Sequence, residues 1–210
     1  MSKFKLLYIK LTQDNGSWWV NRFSEYKSRW IMNQSGLRVK IILSLKGIKS
    51  GENCEYFGVP YFHRDPFSSI IIGQNCRFRS GHTSNLIGVN HKCIISTHSK
   101  DARIIIGDNC GFSGTTIGAA AEIIIGNNVL VGANAIITDF DWHSDRSNTH
   151  PQPVIIKDNV WIGVNSTILK GVTIGENSVI GANSLVVKDI PANVIAGGNP
   201  CKVLKIITTI

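Results

Sequence analysis

At 210 residues, with 43% hydrophobic content and a mean hydropathy of +0.06, the chain is sized for one domain with a sizeable core. Its longest apolar runs, IIIG and VIIK among them, fall far short of the roughly 18 residues of a membrane span, which argues against a transmembrane protein. The net charge of +8 is unevenly placed: the first 50 residues hold ten Lys/Arg and two Asp/Glu, and the remainder holds twelve of each.

Residues 1–50 carry Trp18, Trp19 and Trp30 and lack the repeat that follows, so they are expected to form one or two short helices or an irregular cap. The opening stretch MSKFKLLYIKLTQDNG has too few apolar residues and no small-residue cleavage site for a secretory leader. The positive charge here suits a solvated cap, or contact with an anionic surface such as lipid headgroups or a pyrophosphate-bearing substrate. Basic and apolar residues interleave over 37–49 (LRVKIILSLKGIK), a pattern compatible with an interfacial segment. The aromatic residues form no recognisable nucleic-acid motif. The five cysteines, Cys54, Cys76, Cys93, Cys110 and Cys201, are scattered singly, without ligand spacing. They read as reduced core fillers in a cytosolic protein.

From residue 51 onward a period of six emerges. It is fragmentary at first (IIIGQNCRFRSG, LIG, RIIIGDNC), with irregular coils around Pro60, Pro66 and HTSN. It is better formed through Ile106, Phe112 and Gly118, then Ile125, Val131 and Ile137. A polar, non-repetitive excursion, DFDWHSDRSNTHPQP, occupies 139–153. The period then holds without a slip through Ile156, Ile162, Ile168, Ile174, Ile180 and Val186, and residues 188–210 close the chain with a Pro-Gly rich stretch. Six matches neither the helical period nor simple strand alternation. It fits short strands separated by tight corners, three strands closing an 18-residue triangular coil. Fixed short repeats mark a solenoid, in which each coil buries its face against the next. Asn in IGNN, IGAN and IGEN suits corners that need left-handed dihedrals. The expected fold is an all-β solenoid of about seven coils over 51–187. An excursion between regular runs is where such a scaffold usually carries its chemistry.

The stretches VWIG (160–163), ILKGVTIGENSVIGANSLVVKDIP (168–191) and AGGNPCKV (196–203) closely resemble the left-handed β-helix (hexapeptide-repeat) acyltransferases. Within that family the match is to the sugar O-acetyltransferases, such as galactoside and maltose acetyltransferases and bacterial polysaccharide O-acetyltransferases. The resemblance covers roughly 51–205. It implies a left-handed coil, a homotrimer, acetyl-CoA bound between neighbouring prisms, and a sugar acceptor. It also implies that His143, in TDFDWH, is the catalytic histidine. Acetyl transfer to an alcohol needs a base, and an imidazole can take the hydroxyl proton and return it to the departing thiolate. In an extended segment Asp139, Asp141 and His143 would share one face, with Asp141 holding the far ring nitrogen; Phe140 and Trp142 would project the other way and anchor the loop. His150 matches no family ligand and reads as structural or spare.

Ser113 falls where relatives place a polar residue against the acceptor, as a contact or an oxyanion donor, with an ordinary corner serine as the alternative. Trp161 matches a tryptophan that flanks the pantetheine or sugar, with a core role as the alternative, and Asp139 is a further acceptor-side candidate. Gly163 and Ala182 match close-approach positions for the cofactor, and Lys188, Lys202 and Lys205 match basic positions that hold the adenosine phosphates. Relatives often carry arginine at the last two, so the bidentate fork is lost there. Val164 and Val187 replace hydroxyl residues of some relatives. The Phe-Gly-Val-Pro turn at 57–60, with its aromatic neighbours, could wall an acceptor pocket, and the upstream segment points to capsule, O-antigen or exopolysaccharide modification. The basic N-terminus agrees with a lipid-linked acceptor at the cytoplasmic face. Competing readings are an amino-sugar or xenobiotic acetyltransferase, a zinc enzyme of the γ-carbonic anhydrase type, and a non-enzymatic scaffold. The zinc reading lacks histidines five residues apart, so no metal site is expected.

Overall fold

The computed structural model describes residues 17–143 and 150–208. One 29-residue helix, α1 (Ser17–Leu45), replaces the one or two short helices expected at the N-terminus. Among the described residues, twenty short strands follow. The first two coils are β1 (Lys49–Ser50), β2 (Glu55–Phe57), β3 (Tyr61–His63), then β4 (Ser69–Ile72), β5 (Arg77–Arg79), β6 (Ile94–Thr97). The next two are β7 (Arg103–Ile106), β8 (Gly111–Ser113), β9 (Thr116–Ala119), then β10 (Glu122–Ile125), β11 (Leu130–Val131), β12 (Ile136–Thr138). After the excursion come β13 (Val154–Ile156), β14 (Trp161–Ile162), β15 (Thr167–Ile168), then β16 (Thr173–Ile174), β17 (Val179–Ile180), β18 (Leu185–Val186). A seventh, partial coil holds β19 (Val194–Gly197) and β20 (Lys202–Ile206).

From β1 to β15 each strand pairs in parallel with the strand three places on, and β17 pairs in parallel with β19, so three sheets form the faces of a prism: a left-handed parallel β-helix. Among the described residues, only the closing β19–β20 pair is antiparallel. The inward residues stack coil upon coil into one core. Ile156, Ile162, Ile168, Ile174, Ile180 and Val186 are all at most 1% exposed, as the period predicts. Gly118 is the exception. The inward residue of β9 is Ile117, in register with Ile95 and Ile137, because the Ser113–Thr116 corner is one residue short of the repeat. Gly118 therefore faces outward.

The corners explain the asparagines. Among the described residues, ten asparagines, Asn159 included, sit at positive φ between 55° and 62°, a region that costs most L-residues about 1–2 kcal/mol. Their side chains also ladder from coil to coil: Asn75 donates to Asn109, then Asn109 to Asn128, Asn128 to Asn159, Asn159 to Asn177 and Asn177 to Asn193, at 3.0–3.2 Å. The cysteines are free thiols, with Cys76, Cys93 and Cys110 buried in the core.

The helix caps the open end of the prism. Val39 and Leu43 are buried against the first coil, and Ile48 follows them into the core. The 37–49 segment expected at an interface thus spends one of its faces on docking. Among the described residues, no helix is long and apolar enough to cross a membrane.

Candidate active site

The excursion leaves the prism after β12 and returns at β13, and its two ends are clamped together. The Gln152 amide donates to the Asp139 carbonyl at 2.8 Å, and the Gly171 amide to the Gln152 carbonyl at 3.0 Å. Asp139 does not face an acceptor. Its side chain is fully buried, and its two oxygens accept the Ala120 and Ala121 amides at 2.6 and 2.8 Å. Burial pushes its carboxyl upward, opposed by those amides. The expected acceptor contact is therefore corrected to a brace at the loop's root, since a carboxylate taken up by two amides has little left to offer a ligand.

Phe140 and Trp142 project together, as alternation predicts. Their rings lie 4.7 Å apart, and both pack on the His98 imidazole at 5.0 and 4.9 Å. Trp142 also lies on the outward face of Gly118, where a Cβ would come within 2.8 Å of its ring. His98 is held by Ser96, with Oγ to Nε2 at 2.9 Å, and its pKa is lowered by burial and by His63 beside it. Sequence reading passed over His98 because it lies 44 positions before Trp142 and carries no motif; only coil stacking brings the two together.

His143 follows this aromatic anchor and is exposed, with its imidazole reachable from solvent. The expected His143–Asp141 hydrogen bond is not formed. The Asp141 carboxylate instead pairs with Lys170 Nζ at 2.5 Å, because β15 leads Lys170 to the foot of the loop. Asp141 thus ties the excursion to the coil below it. His150 is exposed on the returning limb, and positions 144–149 of the excursion lie outside the described residues.

Ser113 and Trp161 meet on the β5–β8–β11–β14 face. They line one groove of about 480 Å³ with Arg77, Arg79, Asn85 and Leu130. The Ser113 hydroxyl accepts from Asn85 Nδ2 at 3.1 Å. Trp161 is 57% exposed, so the core alternative for its indole does not hold. The 57–60 turn divides its labour: Val59 packs against the core, while the Phe57 ring lies 4.8 Å from the Arg79 guanidinium. Arg77 pairs with Glu55 at 2.5 Å, and Arg79 donates to the Ser84 carbonyl. Asn85 escaped sequence reading because it sits in an irregular coil, and the two arginines because they flank the inward Phe78 without forming a motif.

Gly163 has a structural reason to be glycine. A Cβ there would sit 2.5 Å from the Ala182 amide nitrogen of the next coil, so the two expected cofactor positions stack directly on one corner. Lys188 is exposed just after β18, and Lys202 and Lys205 are exposed on β20. These three cations share the terminal coils with the Gly163–Ala182 corner.

Residues 153–188 match the bacterial transferase hexapeptide model (six repeats), and 122–138 match the hexapeptide repeat of succinyl-transferase. The galactoside O-acetyltransferase of Lactococcus lactis is 37% identical over 138 residues, 63% of this chain and 60% of that one. The galactoside O-acetyltransferase of Escherichia coli K12 is 48% identical over 88 residues, covering 40% of this chain and 43% of that one. The chain spans about half the length of the curated relatives it matches. Among solved structures, a mutant of AntD, an N-acyltransferase from Bacillus cereus in complex with dTDP-4-amino-4,6-dideoxyglucose and coenzyme A, superposes with a TM-score of 0.63. That likeness covers 81% of this chain and 89% of that one at 22% identity, and it bears on the fold alone.

Proposed function

We propose that the protein is an acetyl-CoA-dependent O-acetyltransferase that acetylates a sugar hydroxyl, with His143 as the general base. The observation that carries this reading is the anchored excursion. The Asp139 brace and the Phe140–Trp142–His98 stack fix the chain up to the residue before an exposed imidazole. A base must be held in place to be effective, and an ordinary surface loop would not need this support. The similarity to galactoside O-acetyltransferases, reported above, points to the same chemistry.

In this reading the acceptor lies in the groove of Ser113, Asn85 and Trp161, where the Ser113 hydroxyl and the Asn85 amide supply polar contacts and the exposed indole supplies an apolar wall. Acetyl-CoA supplies the activated acyl group. The residues present fit such a donor: Lys188, Lys202 and Lys205 are exposed cations for its phosphates. The Gly163–Ala182 corner offers backbone without bulky side chains. His143 takes the proton from the acceptor hydroxyl as oxygen bonds to the acyl carbon, then returns that proton to the sulfur of the leaving thiolate. Asp141 does not orient the ring directly; through Lys170 it stiffens the loop that carries it. We further propose that the working form is a homotrimer with each site between two subunits, and that the acceptor belongs to a bacterial surface glycan.

The test is to follow free thiol release from acetyl-CoA with a panel of sugars, nucleotide-linked sugars, lipid-linked sugars and amines. Turnover with hydroxyl acceptors is expected. Release with amines only would overturn the O-acetyl assignment, and no release with any acceptor would overturn the enzymatic reading.

A further inference from the structure

The helix α1 has two apolar faces, and the fold uses only one of them. Ser35, Val39 and Leu43 point into the prism and are buried. At about 100° per residue, Phe23, Tyr26, Trp30, Leu37, Ile41 and Leu45 fall on the opposite side, within an arc of roughly 100°. All six are 54–83% exposed. Together they form a stripe about 33 Å long on one side of the molecule. An apolar surface of that extent on a helix already docked through its other face calls for a partner.

The charges beside the stripe identify the partner's chemistry. Arg22 and Lys40 flank one edge and Lys27 and Arg38 the other, all exposed. The helix has a single acidic residue, Glu25, which lies toward the far side and pairs with Arg22 at 3.5 Å. The preceding 16 residues add Lys3, Lys5 and Lys10 against one Asp14. Apolar side chains bordered on both sides by cations match an interface of acyl chains under negative headgroups. A second copy of this chain would set these cations against each other.

We propose that the exposed face of α1 lies on an anionic lipid surface, with the prism held off that surface through the docked face. The helix rests in the interface rather than crossing it, in keeping with the lack of a spanning segment among the described residues. The inference does not depend on the proposed catalysis, because vesicle binding is read without turnover.

The test is co-sedimentation of the full chain with phosphatidylcholine vesicles and with vesicles containing roughly a third phosphatidylglycerol, at low and high salt. Binding at least about tenfold stronger to the anionic vesicles, and weakened by salt, is expected. Phe23→Glu with Leu37→Glu should lower that binding about tenfold or more, with circular dichroism and melting unchanged, since both side chains face solvent. Should that pair disturb folding, Lys27→Glu with Arg38→Glu removes the charge instead and should abolish the preference for anionic lipid. No binding to anionic vesicles, equal binding to neutral ones, or full binding by both double variants would overturn the proposal. So would lipid-free self-association that Phe23→Glu abolishes, which would assign the stripe to a second copy.

Discussion

At the excursion, the work of each side chain follows from what it touches. Asp139 was expected beside the acceptor but braces the Ala120 and Ala121 amides. Asp139→Ala leaves two part-buried donors unpaired and should cost about 1–3 kcal/mol. Thermal melting should register the loss, and kcat should fall while KM for the acceptor stays near wild type; a selective rise in that KM would restore the acceptor role. Gly118→Ala is the reciprocal probe, because its new Cβ would meet the Trp142 ring at 2.8 Å. The indole must move, so turnover should drop about tenfold or more while the stacked core keeps its melting temperature. The His98 ring sits between these aromatics with a lowered pKa, from burial first and His63 second, opposed by Asp139 and Asp65. Folding therefore favours its neutral form. As pH falls through the ordinary histidine value, the unfolded chain takes up a proton that the folded chain resists, and the anchor loses stability. Below about pH 6, loop protection measured by hydrogen exchange should decline, and His98→Phe should remove that decline.

At the scale of strands and corners, much was legible and the reasons are physical. Every coil must place an apolar residue inward at the same height, so the run from Ile156 to Val186 announces two full coils in its spacing alone. The corner asparagines were equally readable because left-handed dihedrals exclude most other residues. Asn159 serves both the corner and the ladder, so its variants separate the two roles. Asn159→Gly keeps the dihedral and loses the Asn128 and Asn177 contacts, and should cost about 1 kcal/mol. Asn159→Ala loses both and should cost about 1–2 kcal/mol more in urea unfolding. What could not be read were pairs brought together by stacking across irregular coils: His98 with Trp142, Asn85 with Ser113, and Lys170 with Asp141. Local pattern carries no signal for a partner 28 to 44 positions away. The Gly118 register failed for a related reason, a corner shortened by one residue.

Taken whole, the molecule is a rigid prism with a helix across one end and a clamped excursion partway along. Repeat architecture makes the prism stiff and leaves chemistry to the interruptions, which is why the groove of Ser113 and Trp161 and the His143 loop both occur where the period breaks or pauses. The proposed trimer should appear as a solution mass near three times the 23.0 kDa chain by light scattering. A monomer would leave the proposed intersubunit site without its second wall. The proposed chemistry depends on a base held by that loop, and steady-state kinetics of His143→Ala with acetyl-CoA and a responsive sugar test that dependence most directly. Turnover should fall by about 10²–10⁴ while acetyl-CoA binding and melting stay near wild type; a variant that turns over at the wild-type rate would contradict it.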